Sequence, residues 1–389
     1  MATLSVPQFQ TAIIQSGDAA GTSSTDLTIS HAVPTPVLTS SHDVLVRVLA
    51  VALNPTDHKM PAHFPSPGNR VGCDFCGIVV QHQNPATPLP QFTPLKPGTR
   101  VCGGLFPYGR QTGDHATCGA FAQFVVADSR LLIRVPDAWS DLEAAALGGI
   151  GWTTAGLALS DPDALNLAGL PSRPAGPAPE EGGPVPVLVY GAAAATGTMA
   201  CQLLALSGYA PVAVASGPSA ALVAAYGARA AAAYTSPTCA RDVRDAVAAA
   251  GIRAPVRHAL DCATTRESAA LCFAALHRTG GRYACLEGLP AAWRTRRAVR
   301  VREVMAFEGH GRDVVVDDPT YSRAANPALF GLCRRWTAEV QRLVDAGRLR
   351  SHPVREVPGA WQGVIDGLAT LRKGLVRGEK LAVQISDLG

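Results

Sequence analysis

The sequence predicts an α/β protein, with a strand-rich, barrel-like part at both ends of the chain and a doubly wound parallel sheet between them. Residues 185–286 alternate apolar runs with helical stretches, as expected for strands buried on both faces and joined by crossover helices. Residues 9–126 and 380–385 instead read as strands divided by turns. The chain has 389 residues, 47% hydrophobic and 16% charged, which is too apolar for disorder. Two or three cores are expected at roughly 150 residues per domain.

The elements follow in order. Residues 43–51 alternate well enough for a half-buried strand, and residues 76–80 form the next. A polar, Pro-rich loop runs to Pro97, and residues 96–101 turn into a strand. Residues 119–126 form another strand. Ser140 with Glu143 is a capping box that opens a helix at 140–147, and a second helix follows Trp152. Residues 170–186 are a Pro/Gly-rich loop. Strands then fall at 185–190, 210–215, 230–234, 258–262 and 281–286, with helices at 198–207, 219–226, 240–250 and 268–277 between them. A long helix at 327–346, a strand at 354–356, a helix at 360–372 and a last strand at 380–385 complete the chain, without an internal repeat.

Composition excludes several functions. Thirty-four basic against 30 acidic residues leave a net charge of only +4, and there is no basic block for nucleic acid or anionic lipid. Of the basic residues 30 are Arg and four are Lys (Lys59, Lys96, Lys373, Lys380), so few positions can hold a tunable amine. Residues 1–17 have neither a basic segment nor a long apolar run, so a cytoplasmic location without disulfides is expected. The ten cysteines then read mostly as small core residues. Residues 182–228 contain no charge, but Gly191, Gly197, Gly208, Pro211, Gly217 and Pro218 cut the run into pieces too short to span a bilayer.

One turn carries a ligand signal. Gly191-Ala192-Ala193-Ala194-Ala195-Thr196-Gly197 lies between a buried strand and a helix. There a dinucleotide fold needs close backbone approach to pyrophosphate, and the helix start offers free N–H groups. The spacing is GxxAxxG rather than GxGxxG, so an ordinary tight turn competes with this assignment. The next strand ends in Ser216-Gly217-Pro218-Ser219, with no acid to hold a ribose hydroxyl or repel a 2′-phosphate. This favours NADP(H) over NAD(H).

Several motifs together resemble the medium-chain dehydrogenase/reductase superfamily. Within it they resemble the fungal trans-acting enoyl reductases of polyketide biosynthesis, of the lovastatin-pathway type. They are residues 51–60 (VALNPTDHKM), 72–77 (GCDFCG), Tyr190-Gly191, 206–209 (LSGY), 259–262 (ALDC), 272–275 (CFAA) and 378–381 (GEKL). The resemblance spans nearly the whole chain. It implies a GroES-like catalytic domain at 1–165, a Rossmann-type nucleotide-binding domain at 166–312, and a return to the catalytic domain at 313–389. It also implies NADPH as cofactor and a monomer. The partner it implies is an iterative polyketide synthase, or a synthase–peptide synthetase hybrid, that carries the acyl thioester. Zinc-dependent members place ligands where this chain has Gly72-Cys73-Asp74 and no cysteine in the other two segments, and the structural-zinc loop is missing, since Cys102 and Cys118 stand alone. No metal is therefore expected.

The same resemblance assigns the site. Thr56, Asp57, His58 and Lys59 would lie beside the nicotinamide. Ala193, Ala194, Ala195, Thr196, Ser216, Gly217, Pro218, Ser219, Tyr234, Leu286, Glu287, Val376 and Arg377 would line the rest of the cofactor. Thr154, Ala155, Gly156, Leu157, Ala158 and Leu159, with Met305, Ala306, Phe307, Glu308 and Gly309, would touch the acyl chain. Lys59 and Thr154 would stabilise the enolate oxygen that forms as hydride adds. A loop lysine in a weak surface pair, a helix-packing threonine and a solvent-facing His58 are the competing assignments. A zinc-free quinone or enone reductase and a non-catalytic NADPH-sensing protein are the alternative functions.

Overall fold

The computed structural model describes residues 6–16, 27–82, 95–108, 119–177 and 183–385, so Cys118, residues 1–5, residue 17 and residues 386–389 lie outside it. The chain divides into two compact units. Unit 1 holds residues 1–150, 310–326 and 340–389; unit 2 holds residues 151–309 and 327–339. Where the sequence suggested boundaries at 165 and 312, the division falls at 150 and 309, because most of the helix after Gly149 packs with unit 2.

Unit 1 opens with β1 (Phe9–Gln15) and β2 (Leu27–Pro34), an antiparallel pair. Then come β3 (Asp43–Ala52), α1 (Thr56–His63), β4 (Asp74–His82), β5 (Arg100–Gly104), β6 (Phe124–Asp128), the two-residue β7 (Ile133–Arg134) and α2 (Asp141–Leu147). β3 is the hub: it pairs with β4 and β6, and with a strand from the chain's end. It is therefore almost wholly buried rather than half-buried, and α2 covers it. The strand expected at 119–126 starts only at Phe124, since residues 119–123 turn back on β1 and Val71. α2 begins with the expected box: Glu143 N–H donates to Ser140 Oγ (3.2 Å) and Ser140 N–H to Glu143 Oε2 (2.9 Å).

Unit 2 takes most of α3 (Ile150–Ser160), then alternates β8 (Pro186–Tyr190), α4 (Ala195–Leu206), β9 (Ala210–Ala215), α5 (Ala220–Ala225), β10 (Ala230–Ala233), α6 (Cys239–Ala249), β11 (His258–Asp261), α7 (Arg266–Ala275), β12 (Gly281–Cys285) and β13 (Val299–Glu303). The strands are all parallel in the order β10-β9-β8-β11-β12-β13. Strand order reverses between β8 and β11, which makes a crevice at their carboxyl ends. Val187, Leu188, Val189, Val212, Val214 and Leu260 have no exposed surface, and each such side chain contributes roughly 1.5–3 kcal/mol by burial. Residues 183–228 thus hold the central strands β8 and β9 of this sheet, and among the described residues no helix is long and apolar enough to cross a membrane. β13 is an element absent from the sequence expectation. Val-Arg-Val-Arg-Glu is polar because it forms the sheet edge, with Val299 buried and Arg300 exposed.

The chain ends with α8 (Pro327–Asp345), whose first part belongs to unit 2 and whose last part to unit 1, then β14 (Val354–Glu356), α9 (Ala360–Arg372) and β15 (Lys380–Gln384). β15 joins β14 to β3, so the tail completes the front sheet. The nine described cysteines are free thiols; all are buried except the half-buried Cys262.

Candidate active site

In unit 2 the turn from Gly191 to Gly197 is built from close packing. Gly191 has φ +70°, a conformation that costs a side chain energy. A Cβ on Gly197 would clash with Gly191 O and lie 2.7 Å from Ala192 Cα. This lets the start of α4 sit directly on the turn. Ala194 caps α4 in an extended conformation with no side-chain hydrogen bond, and the first turn holds no acid. N–H groups at the start of a twelve-residue helix are therefore left for an anion. Ala192 is buried, while Ala193, Ala194, Ala195 and Thr196 reach the surface.

The neighbouring strand ends complete that edge. Ser216 and Ser219 oxygens lie 2.7 Å apart across the turn through Gly217 and Pro218, and no acid stands there. Tyr234 N–H donates to Ala215 O (3.1 Å), and its half-exposed ring lies 6.3 Å from that of Tyr190. The β9 turn, Tyr234 and the α4 turn thus share the carboxyl edge of one sheet. The donor set fits a phosphorylated dinucleotide: backbone N–H groups for pyrophosphate, and two hydroxyls with no acid beside a ribose.

Asp261 organises the far side of the crevice. It is fully buried at the end of β11 and accepts Ala263 N–H (2.9 Å), Thr264 N–H (2.9 Å), Ser268 Oγ–H (2.6 Å) and Tyr283 Oη–H (2.8 Å). Thr264 is held at φ +54°, and its Oγ1 accepts Leu286 N–H (3.1 Å). Such a conformation costs about 1–3 kcal/mol and persists where surrounding bonds enforce it. Leu286 and Glu287 are half-buried in the segment so fixed. Asp261 falls in the 259–262 motif but carries no site assignment from the sequence. Its signal was a carboxylate at the end of an otherwise apolar strand.

The segments assigned to the acyl chain also lie in unit 2. Thr154, Ala155, Gly156, Leu157, Ala158 and Leu159 are all buried on α3. Met305, Phe307, Glu308 and Gly309 are buried and Ala306 is half-buried. The Glu308 carboxylate is engaged within the unit: it accepts from Arg302 Nη2 (2.9 Å) and Met305 N–H (3.3 Å).

In unit 1, Lys59 stands on the helix α1, where the competing assignment had a loop lysine. Thr56, His58 and Lys59 are half-buried on this helix. Asp57 faces the other way. It has no exposed surface, and its carboxylate accepts Asn54 N–H (2.8 Å) and Tyr108 Oη–H (2.9 Å). Tyr108 Oη in turn accepts Gly72 N–H (3.2 Å). Burial pushes Asp57 up to about 6, against the pull of these hydrogen bonds and with a contribution from Asp74. Asp57 thus ties α1 to its surroundings instead of presenting a charge beside Lys59. Val376 and Arg377 lie in the loop before β15, half-buried and exposed respectively.

A second buried node stands beside it. Lys380 Nζ donates to Asp74 Oδ2 (2.6 Å) and Asn54 Oδ1 (3.0 Å), and Asn54 Nδ2 donates to Asp74 Oδ2 (2.9 Å). Asp74 Oδ1 accepts the N–H groups of Gly149 (2.8 Å) and Ile150 (2.9 Å). Gly148, at φ +45°, has no side chain because Asp74 occupies that space. Neither Asp74 nor Lys380 carries a site assignment from the sequence, although the scarcity of lysine points to Lys380 as much as to Lys59. Asp74 is committed to four partners, and among the described residues no three His, Cys, Asp or Glu side chains gather as a metal site.

Known proteins agree with this architecture. Residues 40–137 match the alcohol dehydrogenase GroES-like domain. The chain is 49% identical to trans-enoyl reductase calK of Penicillium decumbens over 378 residues, 97% of this chain and 98% of that one. It is 49% identical to trans-enoyl reductase sthE of Phaeosphaeria nodorum, with the same coverage. Among solved structures, CurK enoyl reductase superposes with a TM-score of 0.67 at 16% identity, covering 97% of this chain and 100% of that chain. The chain belongs to the trans-enoyl reductases of the medium-chain dehydrogenase/reductase superfamily.

Proposed function

We propose that the chain delivers hydride from NADPH to the β-carbon of an α,β-unsaturated polyketide thioester held by a partner synthase. The partner is an iterative polyketide synthase or a synthase–peptide synthetase hybrid, and the enzyme acts as a cytoplasmic monomer. The observation that carries the NADPH assignment is the acid-free Ser216–Ser219 turn beside the uncapped start of α4. It is favourable to a 2′-phosphate and offers no carboxylate for a bare ribose.

When bound, the nicotinamide supplies the hydride. The chain's own residues supply binding and charge stabilisation. Backbone N–H groups at Ala195 and Thr196 hold the pyrophosphate. Lys59 and Thr154 donate to the thioester oxygen as negative charge builds there, an interaction worth about 3–4 kcal/mol in comparable oxyanion sites. Asp57 and Asp74 hold their segments in place without touching the reacting carbons.

NADPH oxidation is to be followed with an enoyl pantetheine thioester and with a quinone. Turnover of the thioester supports the proposal. Turnover of the quinone alone makes the chain a quinone reductase, and tight NADPH binding with neither turnover makes it a sensor.

A further inference from the structure

Arg302 lies on the sheet-edge strand β13, outside every segment assigned to cofactor or substrate. Its Nε donates to Asp161 Oδ2 (3.0 Å) and its Nη2 to Glu308 Oε1 (2.9 Å). Both carboxylates are 6% exposed and Arg302 is 22% exposed. Asp161 directly follows α3; its N–H bonds Leu157 O (2.9 Å), and its other carboxylate oxygen accepts Asp163 N–H (3.0 Å). Glu308 belongs to the turn 305–309 and closes it through Met305 N–H (3.3 Å). A guanidinium presents its donors as a rigid planar fork, so this one side chain fixes the end of α3 and the turn relative to each other.

The turn also lies on α3 directly. A Cβ on Gly309 would fall 3.0 Å from Thr153 Cγ2 and 3.1 Å from Cys333 Cβ. The two segments that the sequence assigns to the acyl chain, 154–159 and 305–309, are therefore tied together at their ends, through Thr153 and Asp161 of the first and Glu308 and Gly309 of the second. Gly309 sets the closeness of this approach, and Arg302 sets its register.

We propose that Arg302 is a positioning residue for acyl-chain length: through Asp161 and Glu308 it holds the two segments in the arrangement that accepts a long chain. This rests on the assignment of those segments to the acyl chain. Without the fork, two carboxylates of like charge would face each other away from water and separate. A short chain would not reach the altered part of the surface.

The test uses the full chain, with four-carbon and ten-carbon enoyl pantetheine thioesters. Steady-state kinetics are measured for wild type, Arg302→Lys and Asp161→Asn, alongside thermal midpoint and NADPH Kd. A lysine keeps the charge but cannot fork. In Arg302→Lys the ratio of kcat/KM for the long substrate to that for the short one should fall about tenfold, the scale on which apolar pockets discriminate. The fall should come from KM, with short-chain kcat and NADPH Kd unchanged. Asp161→Asn, which keeps an acceptor, should show a smaller fall. An unchanged ratio, or equal losses on both substrates, overturns the proposal. Should Arg302→Lys not fold, the ratio in Asp161→Asn decides by the same criterion. Wild-type failure on both thioesters instead overturns the enoyl reductase assignment, and the acyl surface with it.

Discussion

Lys380 Nζ and Asp74 Oδ2 lie 2.6 Å apart, with the side chains 3% and 0% exposed. Removing one partner of such a pair strands the other charge in the interior, typically at about 3–5 kcal/mol. Lys380→Met should therefore lower the urea midpoint sharply. Adding Asp74→Asn should restore part of the loss, because the stranded charge is then gone. Additive losses in the double variant would show that the two residues do not act as a pair.

Gly197→Ala should weaken NADPH binding at least about tenfold and destabilise the fold by roughly 1–3 kcal/mol, since the added methyl meets rigid backbone. Gly331, exposed on α8 with nothing near its missing Cβ, is the control. Gly331→Ala should leave NADPH Kd unchanged and stabilise by about 0.4–1 kcal/mol. Fluorescence titration with NADPH and denaturant melts read both.

Ser219→Asp places a carboxylate beside Ser216, where a 2′-phosphate is proposed. NADPH Kd should rise at least about tenfold while NADH Kd holds or improves. Equal effects on the two cofactors would remove this turn from the site.

Asp57 titrates near 6 in the folded chain against 3.8 for an exposed aspartate, chiefly because burial disfavours its charge. The native state therefore holds the extra proton between those values. The stabilisation this provides is fully present below 3.8 and is lost as pH rises through about 6. Across that window wild type should lose about 3 kcal/mol relative to Asp57→Asn, which does not titrate. Urea unfolding of both proteins from pH 4 to 7.5 measures it; a constant difference would mean that folding leaves the Asp57 carboxyl unshifted, and a gain by wild type with rising pH would mean that the site favours its charge.

Lys59→Ala should cut kcat on the enoyl thioester by about 10²–10³ and leave NADPH Kd within about threefold. Parallel losses in kcat and binding would mean that Lys59 holds the cofactor rather than the developing charge.

The central sheet was legible because β8, β9 and β10 are uninterrupted runs without charge and β11 and β12 each carry two or three apolar residues at their centre. β13 was not, since an edge strand needs only one buried side, and Val299 is its only buried residue. The box at Ser140 and Glu143 was visible because both partners are local in sequence. The nodes at Asp74 and Arg302 were not: Asp74 and Lys380 are 306 residues apart, and Asp161 and Arg302 are 141 apart. No periodicity records such pairings. Asp57 shows the same limit within one helix turn. Its neighbourhood was readable from the Asn-Pro-Thr-Asp run, but its inward orientation depends on Tyr108.

The division of α8 between the units has a consequence for recombination. Trp336, in the part assigned to unit 2, occupies the space beside Gly156, where a Cβ would lie 2.6 Å from its ring, and its Nε1 donates to Ser160 Oγ (3.0 Å). A crossover that exchanged residues 151–309 alone would inherit α3 but leave behind the tryptophan that packs on it. Chimaeras among these reductases should thus fold only when residues 327–339 travel too, so unit 2 exchanges as two separate segments of chain, not as one portable cassette.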